Sequence, residues 1–196
     1  MNLIVSDPNE ILLQKNYDRS LLAEAILDHH YATLHYLAYS ILGDADESDD
    51  VVQESILEAL AKIDRYRPGS NMKAWLSTIV VNFCKDKIRR RKRRQKLNDS
   101  LRLLFGSERP RKSPEDKQIG AEAKSTLWSL VNQLDEKHRL PIILRYVHDM
   151  SIREVAHILE LKEGTVHSRL HYACRNLGRQ LALHDQEALL SELLNE

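Results

Sequence analysis

Apolar residues recur along most of this chain at spacings of three and four, the pattern of helices that bury one face. Between 20 and 42 the stripe is Leu21, Leu22, Ile26, Leu34, Leu37, Ala38 and Ile41, and Gly43 supplies a C-terminal cap. A second helix is predicted from about Asp46 to Arg65, with Val51, Val52, Ile56, Leu60 and Ile63 inward. Pro68-Gly69-Ser70-Asn71 reads as a loop. A third helix, from about Met72 to Lys96, begins with Ala74, Trp75, Leu76, Ile79, Val80 and Phe83 as core positions, and its second half is too basic to bury.

The period is then lost. Leu97 to Asp116 contains Gly106, Pro110 and Pro114 and is expected to be a linker. It resumes from Ile119 to Leu134 through Leu127, Leu130, Val131 and Leu134, and again from Glu136 to His148 through Ile142, Ile143, Tyr146 and Val147. Pro141 predicts a kink or a late start near Leu140 in that second span. The tail from Asp185 to Glu196 is acidic and Leu-bearing, expected as a short helix.

Composition agrees with an all-α protein. Six glycines and five prolines sit mostly where segments break, and helix formers dominate the long gaps between them. The expected fold is two small helical domains joined by a flexible linker. Its divisions are an N-terminal extension at 1–19, a first domain at 20–96, a linker at 97–117, a second domain at 118–183 and an acidic tail at 184–196. No apolar stretch approaches the roughly 18 residues a membrane span needs. The opening Met-Asn-Leu-Ile-Val lacks the basic flank and apolar core of a signal peptide, so a cytoplasmic location is expected. Cys84 and Cys174 form no CxxC pair and read as buried free thiols rather than a zinc site or disulfide framework.

The formal charge cancels at 29 bases against 29 acids, but the charges are sorted. Asp44 to Glu58 holds seven acids and no base, while Lys85 to Lys96 holds nine bases and one acid. One surface suits a basic partner and another an acidic one, most simply nucleic acid.

The sharpest local signal begins at Ser151. Ser151-Ile152-Arg153-Glu154 is a capping box opening a helix to Leu159, with Ile152, Val155, Ala156 and Leu159 inward. A turn at Glu160-Leu161-Lys162 leads into a second helix, Glu163 to about Gln180, that buries Val166, Leu170, Ala173 and Leu177. At 100° per residue its outer face carries Gly164, Ser168, His171, Tyr172 and Arg175, flanked by Thr165, His167 and Arg169. Short capped helix, tight turn and longer helix with hydrogen-bonding residues outward describe a DNA-binding helix-turn-helix. His167 and His171 stand at i and i+4, but no HExxH pattern or third ligand accompanies them, so no metal and no other cofactor is expected.

The run Asp50-Val51-Val52-Gln53-Glu54-Ser55-Ile56, then Lys73-Ala74-Trp75-Leu76 with Asn82 and the basic helix end, resembles domain two of an RNA polymerase sigma factor. Ser151 to Leu161, followed by Gly164-Thr165-Val166-His167-Ser168-Arg169-Leu170, resembles sigma domain four. Together, in this order, they resemble the extracytoplasmic-function (ECF) branch of the sigma-70 family, covering roughly 20–96 and 118–182.

The resemblance implies a protein with no catalytic residues that confers promoter specificity on core RNA polymerase. Asp50, Gln53 and Glu54 share one helix face and would dock on the β′ clamp helices, while domain four would engage the β flap. The minus-ten element would be recognised and opened by Arg65, Arg67 and Asn71 in the loop, and by Lys73, Asn82, Lys85, Arg89 and Arg90 on the third helix, with Lys87 beside them on the backbone. The minus-thirty-five element would meet Thr165, His167, Ser168, Arg169, His171, Tyr172 and Arg175. Trp75 is expected in the core rather than against a base. An anti-sigma protein is a further expected partner. Against this stand a lone helix-turn-helix regulator, which leaves the acidic face unexplained, and a metal nuclease using the acids at 44–58, which lack companion groups. In the family pattern an aromatic is usual near Ile56 and at Met72, and a Ser or Pro usually opens the recognition helix where Lys162 stands.

Overall fold

Every regular element among the described residues of the computed structural model is helical, over 7–14, 16–105 and 122–194, with side-chain surroundings described for 7–14, 16–97 and 126–183. The chain divides into two compact units, the first made essentially of residues up to Ser107 and the second of those beyond it.

The first unit contains α1 (Pro8–Leu12), α2 (Arg19–Leu42), α3 (Ala45–Ala61), a 3-10 turn at Ile63–Arg65, and α4 (Met72–Phe105). Each helix opens on a side-chain oxygen that takes one of the backbone N–H groups left without a partner in the first turn. Asp7 accepts from Asn9 N at 2.7 Å, Asp18 from Ser20 N at 2.7 Å, Asp44 from Glu47 N at 2.8 Å and Asn71 from Ala74 N at 3.0 Å. Gly43 closes α2 as its pattern predicts, at φ +70° in the left-handed region, with its N–H on the Tyr39 carbonyl at 2.8 Å.

The helices α2, α3 and α4 pack on one another around Leu22, Ile26, Leu34, Leu37, Val51, Val52, Leu76 and Val80, all essentially out of water. Burying each large aliphatic chain contributes about 1.5–3 kcal/mol before entropy is counted, so three small stripes make one core. Position on the stripe is not sufficient, however. Leu21 is 56% exposed, Leu60 and Phe83 are half-buried, and Val81, Cys84 and Ile88 are buried in their stead.

Helix α4 continues to Phe105, well beyond the expected end at Lys96, and there Leu97, Leu101, Leu104 and Phe105 recur at spacings of three and four, so the helical period is not lost where the linker was expected to begin. The expected linker, 97–117, is thus helical as far as Phe105, and its Gly106–Pro114 part lies outside the described residues. Residues 1–6 of the N-terminal extension lie outside them as well. Within that extension α1 is an unpredicted element, with Pro8 and Ile11 buried against α2.

The second unit contains α5 (Glu122–Gln133), α6 (Glu136–Ile142), a π-helical turn (Ile143–Val147), α7 (Ile152–Leu159) and α8 (Glu163–Leu194). The expected late start near Leu140 is not found: α6 begins at Glu136 and carries Pro141 inside it. Pro141 has no N–H for the Lys137 carbonyl, and just beyond Ile142 the spiral widens, so that His148 N reaches the Ile143 carbonyl at 3.2 Å. Leu140, Ile142, Ile143 and Leu144 are buried there, whereas Tyr146 and, on α5, Leu127 are exposed despite their expected core places. Helix α8 likewise runs past its expected end near Gln180 to Leu194, taking in the backbone of the acidic tail up to that residue.

Candidate nucleic-acid interface

On α3, Asp50, Gln53 and Glu54 are exposed while Val51, Val52, Ser55 and Ile56 are buried, so the acids stand outward. Asp49 belongs elsewhere: it accepts from the Tyr31 hydroxyl at 2.5 Å and lies 3.1 Å from His35 Nε2, tying α3 to α2. The hydrogen bond from Tyr31 to that carboxylate raises the phenol above its ordinary pKa.

Lys87 and Arg91 of α4 turn inward to the same acidic helix. Lys87 Nζ donates to Asp50 Oδ2 at 3.3 Å. Arg91 Nε donates to Glu47 Oε1 at 3.2 Å, and its Nη1 donates to the Leu42 carbonyl at 3.2 Å, closing the C-terminal end of α2 where the helix dipole favours a cation. Arg89 lies 3.2 Å from Asp86 one turn back, and Arg90 is exposed. Lys85 Nζ donates to Asn82 Oδ1 at 3.4 Å, which brings two of the sequence-predicted contacts together.

The loop between the 3-10 turn and α4 is a built turn. Ser70 N donates to the Arg67 carbonyl at 3.1 Å across Pro68-Gly69, with Gly69 at φ +81°, the arrangement of a type II turn. Arg65, Arg67 and Lys73 are exposed around it. Asn71 is already engaged, since its oxygen caps α4. Trp75 is half-buried against Tyr66, ring centroids 5.0 Å apart, which agrees with its expected packing role.

In the second unit the capping box forms as its sequence predicts. Ser151 N donates to Glu154 Oε2 at 2.8 Å, and Glu154 N donates to Ser151 Oγ at 3.2 Å. Glu160 closes α7 at φ +55°, with Leu161 N on the Ala156 carbonyl at 2.8 Å, a six-to-one bond of Schellman type in which glycine is the usual residue. Helix α8 then buries Val166, Leu170, Ala173 and Leu177 and exposes His167, Ser168, His171, Tyr172 and Arg175, with Thr165 and Arg169 half-buried. The Ser168 hydroxyl donates to the Thr165 carbonyl at 2.9 Å. Tyr172 stacks on His138 of α6, centroids 4.4 Å apart and planes tilted by 24°, and His138 Nδ1 is hydrogen-bonded to Asp135.

Comparison with known proteins bears on both units. Residues 26–94 match Sigma-70 region 2 and residues 124–177 match Sigma-70, region 4. The ECF RNA polymerase sigma factor SigL of Mycobacterium tuberculosis is 34% identical, over 80% of this chain and 86% of its own length. The chain belongs to the sigma-70 family, in its ECF branch. SigW of Bacillus subtilis, also an ECF sigma factor, is 28% identical over 85% of this chain and 92% of that one. Among solved structures, the sigma factor RpoE from Bartonella quintana, crystallised with the anti-sigma factor NepR, matches with a TM-score of 0.61 at 29% identity. That likeness covers 81% of this chain and 96% of that chain.

As a sigma factor the protein binds core RNA polymerase and directs initiation at promoters, and the stand-alone regulator is set aside. Among the described residues no group of three or more His, Cys, Asp or Glu could hold a metal ion, and no helix is long and apolar enough to cross a membrane. Contacts that sequence reading missed include Lys87 and Arg91 turned back onto α3, Tyr31 on Asp49, and His138 against Tyr172. Each joins residues from separate helices or loops and leaves no periodic trace in the sequence.

Proposed function

We propose that the sigma factor docks on the β′ clamp helices through Asp50, Gln53 and Glu54, and on the β flap through its second unit. Arg65, Arg67, Asn71, Lys73, Asn82, Lys85, Arg89 and Arg90 recognise and open the minus-ten element; Asn71 does so from its backbone and amide nitrogen, its oxygen being held by α4. Thr165, His167, Ser168, Arg169, His171, Tyr172 and Arg175 meet the minus-thirty-five element. The functional divisions follow the sequence: 20–96 for polymerase and minus-ten binding, 118–183 for minus-thirty-five binding, with 97–117 between them, 1–19 before and 184–196 after. The protein performs no chemistry of its own, works in the cytoplasm and is held in reserve by an anti-sigma protein, as the neighbour crystallised with NepR is bound by one.

One observation supports this reading most directly: within a single small unit, an outward acidic face on α3 stands beside the exposed basic run of α4. A partner with basic helices and a polyanion would each find a surface, and a duplex-binding regulator has no use for the first. The test is in vitro transcription by core polymerase with the purified protein over a genomic library, mapping start sites. Starts that appear only with the protein, and vanish when Arg169 and Arg175 are both replaced by Ala, support the assignment. Starts that appear regardless of those replacements overturn the minus-thirty-five assignment.

A further inference from the structure

The loop assigned above to minus-ten opening is held by a residue from outside domain two. Asn9 Oδ1, at the start of α1, accepts from the Tyr66 hydroxyl at 2.8 Å and from Gly69 N at 3.1 Å. The second contact is unusual in kind, because the N–H at the third position of a type II turn has no partner within the turn and is ordinarily left to water. Tyr66 is 6% exposed, and its hydroxyl also lies 2.5 Å from the Ser70 carbonyl, so one proton serves oxygens on both sides. Helix α1 is itself anchored, by the Asp7 cap and by buried Pro8 and Ile11. Burial and the neighbouring His29 lower the pKa of His30, with Asp7 opposing and Lys73 adding.

The geometry points to Asn9 as a positioning residue for promoter opening: it clamps the Arg67–Ser70 turn from the N-terminal extension, so the loop meets an extruded base already shaped. Capturing an unpaired base costs unstacking, and a loop that must also be ordered at that moment adds its own entropy to the barrier. The clamp removes the second cost. Truncating Asn9 leaves Tyr66 its bond to Ser70 and leaves Asn71 capping α4, so the unit keeps its fold while the turn loses its outer tether.

This rests on the assignment of the loop to the minus-ten element, and the experiment separates the two. Holoenzyme reconstituted with core polymerase is followed by permanganate reactivity of unpaired thymines on a duplex promoter found by start-site mapping. Asn9→Ala is expected to slow opening about tenfold, the scale of two neutral hydrogen bonds, with unchanged binding to core. Asn9→Asp keeps the acceptor oxygen and should restore most of the rate. In the Tyr66→Phe background Asn9→Ala should slow opening by less than it does in the wild type, because only the bond from Gly69 N remains to be lost. Wild-type opening by Asn9→Ala, or effects that multiply in full in the pair, overturns the clamp. Arg67→Ala decides what falls with it: if that variant opens slowly while Asn9→Ala does not, only the clamp is wrong. If both open at the wild-type rate, the loop assignment and the clamp fail together.

Discussion

Lys87 Nζ on α4 stands 3.3 Å from Asp50 Oδ2 on α3, so the basic and acidic blocks of this sigma factor touch within one unit. Lys87 is the more enclosed partner, with its side chain 25% exposed against 64% for Asp50. Asp50 therefore has two roles to separate, one toward Lys87 and one toward polymerase.

Glu54→Lys separates them. Glu54 is exposed on the same face, and its reversal should weaken association with core polymerase about tenfold while the thermal midpoint stays put, as surface substitutions usually leave it. Asp50→Lys should weaken association as well, and should also lower stability by up to about 1 kcal/mol, a figure kept small because the pair is largely solvated. Titration of labelled core polymerase, beside thermal unfolding, reads both. If Asp50→Lys alone weakens association, the loss comes from the broken internal pair and the face is not a docking surface.

Neighbouring bases on α4 should differ in their salt signatures. Arg90→Ala should reduce the slope of log affinity for promoter against log salt by about 0.9, the contribution of one phosphate contact. Arg89→Ala and Lys87→Ala should reduce it less, because Asp86 and Asp50 already offset those charges. Holoenzyme binding measured across a salt series tests this. Equal reductions from all three would mean the ion pairs open on the DNA, and no reduction anywhere would remove DNA from this face.

Glu160 holds the left-handed turn between α7 and α8, a conformation that costs an L side chain about 1 kcal/mol and glycine nothing. Glu160→Gly should therefore raise the stability of the second unit by up to about 0.5 kcal/mol, since roughly half or more of the relief is returned through the freer unfolded chain. Scanning calorimetry of the whole protein reads the change. A lower transition would show that the Glu160 side chain contributes contacts outweighing the backbone relief.

Burial pushes the Cys84 thiol up from 9.0 to about 12, whereas Cys174, expected to be buried too, falls on the outer side of α8 next to buried Ala173 and is exposed beside the Tyr146 hydroxyl at 3.7 Å. At pH 8, iodoacetamide should modify Cys174 alone until denaturant is added. The folded value lies above the unfolded one, so the contribution of Cys84 is complete below pH 9 and is lost as pH rises toward 12. Cys84→Ala should flatten that alkaline decline, at the cost of a small cavity. Mass spectrometry after labelling and unfolding at graded pH check the two halves, and native alkylation at Cys84 would contradict both.

What the sequence made legible was local. The stripe through Leu22, Ile26, Leu34 and Leu37, the Gly43 cap and the Ser151–Glu154 box each depend on residues within a few turns, and each is found where its chemistry predicts. Helix α1 also has a local signal, since Asp7 followed by Pro8 is a cap with proline at the first helical position, although five residues show no period. Pro141 marks a disturbance without fixing its form, because its ring forbids one hydrogen bond and does not dictate whether the helix starts late or, as found, widens in the next turn. For the candidate interface, sequence identified the exposed bases and acids by type and spacing. It could not show that Lys87 and Arg91 turn back onto α3, since 37 and 44 residues separate those partners.

Helix α4 is unbroken from Met72 to Phe105. With a rise of 1.5 Å per residue, Lys85 and Arg90 stand about 20 and 27 Å along the axis from the loop end. Set against 3.4 Å per base pair, that is about six to eight steps of duplex. On the reading proposed above, the helix is a ruler: the place where a base is extracted and the place where the backbone is gripped are separated by a length written in peptide units. Inserting a single residue between them would lengthen the ruler by less than half a base pair, yet swing the gripping face through 100°. Promoter geometry is thus far less tolerant of a change in helical phase than of a change in distance.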